Sequence, residues 1–351
     1  LKHGEQGKVV DIKIFSRDGF KLSDKLESEI EMLVSTGRIN DIRPTADEVG
    51  KAQRIDDAKG RYIVFCKNTF PEDLTLDGLR IVLDCANGAT YKVAPIIFSE
   101  LGADVAAIHD EPDGKNINDR CGSQFTGDLK TKVRAIHADV GLAFDGDGDR
   151  LIAIDELGNE LTGDHVLAIC TQFMQQQGLL KNDLVVITPM SNLGLRMTLD
   201  RLHIRHEDAD VGDRNVLELM QKRGAVLGGE QSGHVIFLNH HTTGDGIITA
   251  LQLLAVMQKS GKKLSELAQI MTLAPQKMIN VPVPGKPPLE DLPALQKAVS
   301  QAEAQLGRNG RVLVRYSGTQ MLCRVMVEGP SEATTAEIAE TLAQAVRNAI
   351  H

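Results

Sequence analysis

The chain has 351 residues, 42% of them hydrophobic and 25% charged, with a net charge of −9. That length exceeds one compact core and predicts two to four domains. The negative balance and an aromatic content of 3%, with no Trp, argue against nucleic acid as the main partner, and no stretch approaches the roughly 20 apolar residues of a membrane span.

In chain order, 11–15 reads as a short strand, Arg17-Asp18-Gly19 as a turn, and Ser23–Val34 as a helix with apolar positions at Leu26, Ile30 and Leu33. One strand and one helix cannot bury a core, so this piece needs something to pack on. From Arg80 strands and helices alternate. Arg80–Asp84, Val105–Ile108 and Val140–Phe144 are strands, with helices running through Ile96, Ile97 and Leu101, and over Gly127–Ile136. The rhythm returns after Gly163: helix Asp164–Gln177, strand Leu184–Thr188, helix Leu193–Leu202, strand Ile204–His206, helix Asp213–Arg223, a Gly-rich turn at Gly228-Gly229, and helix Gly246–Met257. Alternation of this kind predicts a largely parallel sheet covered by helices.

Pro282, Pro284, Pro287 and Pro288 mark a boundary near 276–288. Beyond it come a helix Leu289–Leu306, strands around Val312–Val314 and Arg324–Val327, and a last helix capped by Ser331 with Ile338, Leu342 and Val346 on one stripe. The predicted fold is therefore a series of three-layer α/β domains with mainly parallel sheets, followed by a small α+β domain. The boundaries fall at 1–50, 51–158, 159–276 and 277–351.

Cys66, Cys85, Cys121, Cys170 and Cys323 are odd in number and form no Cys-x-x-Cys pair. They fit reduced thiols in a cytoplasm better than a disulfide frame or a zinc site, and no signal peptide is visible.

Phe144-Asp145-Gly146-Asp147-Gly148-Asp149-Arg150 carries most of the chemical information. Asp-Gly-Asp alone is usually an acidic surface turn. Here three alternating carboxylates end a buried strand, where ligands collect in open α/β sheets. Glycines let the backbone turn so that the oxygens converge, and three adjacent anions repel unless a hard cation such as Mg²⁺ holds them. An EF-hand would match Asp145, Asp147, Asp149 and Glu156, but its sixth position is Arg150 instead of Gly, and its flanks are strands.

This loop resembles the metal-binding loop of the phosphohexose mutase family. The resemblance implies that Asp145, Asp147 and Asp149 bind Mg²⁺ and that Arg150 sits beside the transferring phosphate. Gly229-Glu230-Gln231-Ser232-Gly233-His234, a plain turn when taken alone, is similar to the family's sugar-binding loop. Glu230 and Ser232 would then contact sugar hydroxyls, with His234 either a ligand contact or a structural histidine.

Arg315-Tyr316-Ser317-Gly318-Thr319 combines a guanidinium fork with hydroxyl and amide donors. It resembles the family's Arg-x-Ser-Gly-Thr-Glu-Pro loop, implying that Arg315, Ser317, Gly318 and Thr319 hold a phosphate. Gln320 and Met321 depart from the usual Glu and Pro. Arg324 either assists or is a solvated charge on an edge strand.

Val211-Gly212-Asp213-Arg214 is similar to the family's phosphoglucosamine mutase branch, which implies that Asp213 and Arg214 help recognise a hexosamine phosphate; Asp213 as a helix N-cap is an equal reading, and Asn215 replaces the branch's aromatic. Asp84–Ala89 and Thr243–Gly246 also match, the first as structure and the second as a helix start with a contact role. Lys13 matches a proton-transfer lysine, or is an edge-strand lysine.

The family's phosphorylated serine lies in a Ser-His-Asn-Pro loop, and none occurs in these residues. With Leu1 in place of Met, the expectation is that most of a phosphoserine domain lies upstream, 1–50 being its remnant, and that these residues alone are inactive or nearly so. The implied reaction interconverts glucosamine 6- and 1-phosphate through a phosphoserine and a bisphosphate. A phosphomannomutase or phosphoglucomutase, or a non-catalytic phosphosugar-binding remnant, is the alternative. The resemblance is also compatible with a homodimer.

Overall fold

The structure, a computed structural model, describes residues 16–17, 19–51, 55–318 and 320–350. The expected strand at 11–15 with Lys13, Asp18 of the expected turn, and Thr319 lie outside them. The chain divides into two compact units, Leu1–Leu161 with Ser232–Ser265, and Thr162–Gln231 with Glu266–His351.

The first unit is built on five strands in the order β2-β1-β3-β4-β5: β1 Arg80–Asp84, β2 Asp104–Ile108, β3 Val140–Phe144, β4 Leu151–Asp155 and β5 Glu160–Leu161. β1 pairs in parallel with both β2 and β3, whereas β4 and β5 return antiparallel. The sheet is thus mixed where mainly parallel pairing was expected. A parallel crossover needs a dozen or more residues, and only 145–150 separate β3 from β4. Ile81, Val82, Leu83, Leu142 and Phe144 are fully buried, as an unbroken apolar run in a doubly covered strand should be. Each such side chain contributes about 1.5–3 kcal/mol of burial.

Helix Gly246–Ser260 packs on β3, β4 and the short strand Val235–Phe237. Asp245 caps it by accepting from the amides of Ile247 and Ile248, and Gly261 ends it in the left-handed region at φ +63°. Helix Asp24–Ser35 forms as its spacing predicts and Ser23 caps it, but Leu26 and Ile30 stay 45% and 39% exposed. A helix absent from the sequence reading, Ala58–Lys67, has no amphipathic stripe to announce it.

In the second unit, β6 Leu184–Ile187 pairs in parallel with β7 Arg205–Asp208 and β8 Leu227–Gly229. Gly228-Gly229 is therefore strand, not turn. A Cβ on Gly228 would lie 2.7 Å from Met220 Sδ and 2.9 Å from the Val186 carbonyl oxygen, so packing demands the glycine. Helices Gly163–Gln176, Leu193–Arg201 and Asp213–Arg223 accompany these strands.

The chain then forms the expected α+β module, an antiparallel sheet in which Leu322–Glu328 lies between Gln276–Pro282 and Arg311–Tyr316. Its core joins Val325, Val327 and Leu295 to the predicted stripe of Ile338, Leu342 and Val346. Three readings change here. The proline-marked boundary begins with a strand, tolerated because Pro282 ends an edge strand. The helix expected over 289–306 is a 3₁₀ turn, Leu289–Asp291, followed by an α-helix, Pro293–Leu306, because proline at N1 forces Leu292 out of helical geometry. Arg324 stands on the central strand, not on an edge.

Candidate functional site

The loop joining β3 to β4 gathers the three aspartates: one oxygen each from Asp145, Asp147 and Asp149 lies within 4.8 Å of the others. Asp145 is buried and Asp147 exposed. Gly148 turns at φ +78°, its amide donating to the Asp145 carbonyl at 3.1 Å, and the Arg150 amide donates to Asp145 Oδ1 at 3.1 Å. Gly88 packs so closely that a Cβ there would lie 2.2 Å from the Gly146 oxygen. The Ala89 amide donates to that oxygen, and the Gly246 amide donates to the Gly148 oxygen, both at 2.8 Å. The loop's backbone is held from both sides.

Burial, and then the charges of Asp149 and Asp147, push the Asp145 carboxyl up to about 7, with Arg150 acting in the opposite sense. Arg150 Nε lies 3.9 Å from Asp145 Oδ2 and 3.8 Å from Asp149 Oδ1, too far to bond either. A converging, all-oxygen donor set fits a hard divalent cation held by the three aspartates.

His234 is 3% exposed, with Nε2 4.0 Å from Asp149 Oδ2. A Cβ on Gly244 would lie 2.4 Å from that nitrogen, so the ring fills the space that the glycine leaves. Beside the loop a cavity of about 460 Å³ is lined by Lys21, Lys59, Tyr62, Thr90, Asp147 and Asp245, among others. Tyr62 donates to Asp245 Oδ2 at 2.7 Å, and burial raises both groups above their ordinary values.

In the second unit, Glu230 Oε1 accepts the Gly212 amide at 3.0 Å, which brings two motifs 18 residues apart together. Gly212, at φ +130°, is the N-cap, so Asp213 is the first helical residue and not the cap. Asp213 Oδ1 accepts the Arg214 amide at 2.8 Å. Ser232 is exposed and belongs to the first unit, so the predicted sugar turn is divided between the two.

Arg315 stands opposite Arg324 in the antiparallel register, and burial together with the Arg324 charge holds its guanidinium below the ordinary arginine value. Arg324 Nε is buried without a hydrogen-bond partner among the described residues. Ser317, 3% exposed, accepts the Gln320 amide on Oγ at 3.3 Å, and Lys286 Nζ donates to the Ser317 carbonyl at 2.6 Å. Gly318 is exposed. Three cations thus surround one turn. Like charges face to face on neighbouring strands cost stability, and an anion between them would remove that cost.

Sequence models of the phosphoglucomutase/phosphomannomutase domains match along the chain: α/β/α domain II at 61–158, α/β/α domain III at 162–273, and the C-terminal domain at 278–345. The chain belongs to the phosphoglucomutase/phosphomannomutase family. This family member is 58% identical over 339 residues to a phosphoglucosamine mutase of Syntrophobacter fumaroxidans, covering 97% of the chain and 76% of that protein. It is 55% identical to one of Syntrophus aciditrophicus, covering 96% and 75%.

Among solved structures, it shares its fold with a phosphoglucomutase/phosphomannomutase family protein of Burkholderia thailandensis, at a TM-score of 0.73, 21% identity and 93% and 70% coverage. The N-acetylphosphoglucosamine mutase of Aspergillus fumigatus, solved with GlcNAc-6P and magnesium, matches at a TM-score of 0.69, 19% identity and 86% and 68% coverage.

Two features of this phosphohexomutase escaped the sequence reading. Lys286 sits in a proline-rich stretch that reads as linker. Glu328, fully buried, accepts from Asn192 Nδ2, the Leu193 amide, Gln276 Nε2 and Arg311 Nε, partners up to 136 residues away that no local pattern reveals.

Proposed function

We propose that this chain is a phosphoglucosamine mutase, interconverting glucosamine 6-phosphate and glucosamine 1-phosphate. The observation that carries the reading is convergence: phosphoglucosamine mutases are 51–58% identical along most of the chain, and the aspartates bring their oxygens together. The domains are read as 51–158, 159–276 and 277–351, and each family match falls inside one of these spans.

Asp145, Asp147 and Asp149 would hold Mg²⁺, which when bound supplies charge neutralisation for phosphoryl transfer. Arg150 faces the transferring group with a guanidinium near the Asp145 and Asp149 carboxylates, 3.9 and 3.8 Å from Nε. Arg315, Ser317, Gly318 and Thr319, aided by Arg324 and Lys286, bind the phosphate that is not reacting. Glu230 and Ser232 orient sugar hydroxyls, Asp213 and Arg214 select the hexosamine, His234 supports the metal loop, and Lys13 moves a proton. Catalysis of this kind is largely positioning plus electrostatics. Buried thiols without disulfides suit a reducing cytoplasm. A homodimer remains part of the proposal.

The test compares turnover of glucosamine, mannose and glucose phosphates with Mg²⁺ and a hexose bisphosphate primer. Preference for the glucosamine phosphates supports the reading, and preference for either other sugar overturns it. By themselves these 351 residues should bind the hexosamine phosphate with little or no turnover; robust turnover would remove the need for a Ser-His-Asn-Pro phosphoryl carrier.

A further inference from the structure

We propose that Asp84, His109 and Cys121 form a second metal site, taking one borderline divalent cation of the Zn²⁺ class. None of these residues belongs to the aspartate loop.

Parallel pairing creates the site. Asp84 ends β1 and His109 follows directly after β2, whose last residue is Asp84's register partner. Cys121 precedes the turn Gly122–Gln124. One donor atom from each of the three lies within 4.8 Å of the others. Asp84 is fully buried, its Oδ1 accepting the Ala86 amide and its Oδ2 the Gly122 amide, both at 2.9 Å. Cys121 is 1% exposed, and Asn87 Nδ2 donates to its Sγ at 3.9 Å.

His109 decides the chemistry. Its backbone is left-handed at φ +48°, uncommon outside glycine, and its Nδ1 lies 3.1 Å from Asp84 Oδ2. That nitrogen is buried and makes no aligned hydrogen bond among the described residues. A carboxylate offers only lone pairs, so this ring nitrogen faces it through a proton or a metal cation, and the Cys121 sulfur within reach of both favours the metal. Mixed O, N and S donors select a borderline metal over Mg²⁺, which keeps to oxygen. The other ring nitrogen, Nε2, lies 3.4 Å from Asp128 Oδ2, the outer carboxylate that metal-bound histidines usually carry.

A coordinated cation would deprotonate the buried Cys121 thiol. Three protein ligands leave a fourth position for solvent, which the quarter-exposed imidazole admits. Such an ion would tie the ends of β1 and β2 to the segment before Cys121. Asn118 of that segment packs on Gly146 of the aspartate loop.

The test is a Co²⁺ titration of the whole chain in excess Mg²⁺ after chelation of transition metals. The expected result is one equivalent giving a thiolate-to-metal charge-transfer absorption that Zn²⁺ displaces. The absorption should vanish in Cys121→Ser and persist in Asp145→Asn. Asp128→Asn, at an exposed position that folding tolerates, should weaken the affinity by about 10–100-fold. Absence of the thiolate band in the unaltered chain, or an unchanged band in Cys121→Ser, would overturn the proposal.

Discussion

The carboxylate of Glu230 accepts a hydrogen bond from the backbone amide of Gly212 at 3.0 Å, so the acidic residue of one loop shapes the start of helix Asp213–Arg223, which precedes it in the chain. Removing a charged acceptor from a half-buried amide costs about 1–3 kcal/mol. Glu230→Ala should lower the thermal midpoint and weaken glucosamine 6-phosphate binding by at least about tenfold, roughly 1.4 kcal/mol. Glu230→Gln should recover the midpoint but not the affinity. Melting curves and calorimetric titration separate the two effects.

Asp145 is buried among its own kind, and its carboxyl rises to about 7. Asp145→Asn removes one repelling charge together with one metal ligand. In chelator its melting temperature should match or exceed that of the unaltered chain. Mg²⁺ at 100 times its Kd should stabilise the unaltered chain by about 2.7 kcal/mol and the variant hardly at all. An equal Mg²⁺ shift in both would remove Asp145 from the site.

Arg324 faces Arg315 across two strands. Replacing it by Met keeps much of the aliphatic bulk and relieves a like-charge pair worth about 0.2–1 kcal/mol. Arg324→Met should leave urea stability unchanged or slightly improved, while inorganic phosphate no longer protects the chain. Undiminished protection by phosphate would place the anion elsewhere.

Asp164 is fully buried; desolvation pushes its carboxyl from 3.8 to about 7, although the Asn192 amide donates to Oδ2 at 2.7 Å. The folded state then keeps a proton that the unfolded chain releases. Its share of stability is intact below about pH 4 and falls as pH rises towards 7. Asp164→Asn, neutral throughout and still able to accept that amide, should flatten this slope. Urea midpoints should coincide near pH 4 and favour the variant near pH 8; parallel profiles would show that Asp164 is ionised in the fold.

Local patterns carried much of this reading. The strands at 80–84 and 140–144 and the helix at 213–223 follow from unbroken apolar runs and 3.6-residue periodicity, which depend only on neighbours in the chain. The aspartate loop was legible for the same reason, since its glycines and carboxylates lie within six positions. Helix 58–67 was not, because without an apolar stripe its place depends on what it packs against.

By itself, the sequence determined the element types, the family motifs and the acidic loop, all set by residues close in the chain. Only the tertiary structure decided that β4 returns antiparallel, that Gly228 is packed strand, and that Arg324 faces Arg315. It also brought Asp84, His109 and Cys121 together. Strand order and register set these proximities, and they arise from burial summed over residues far apart in sequence, which no local window contains.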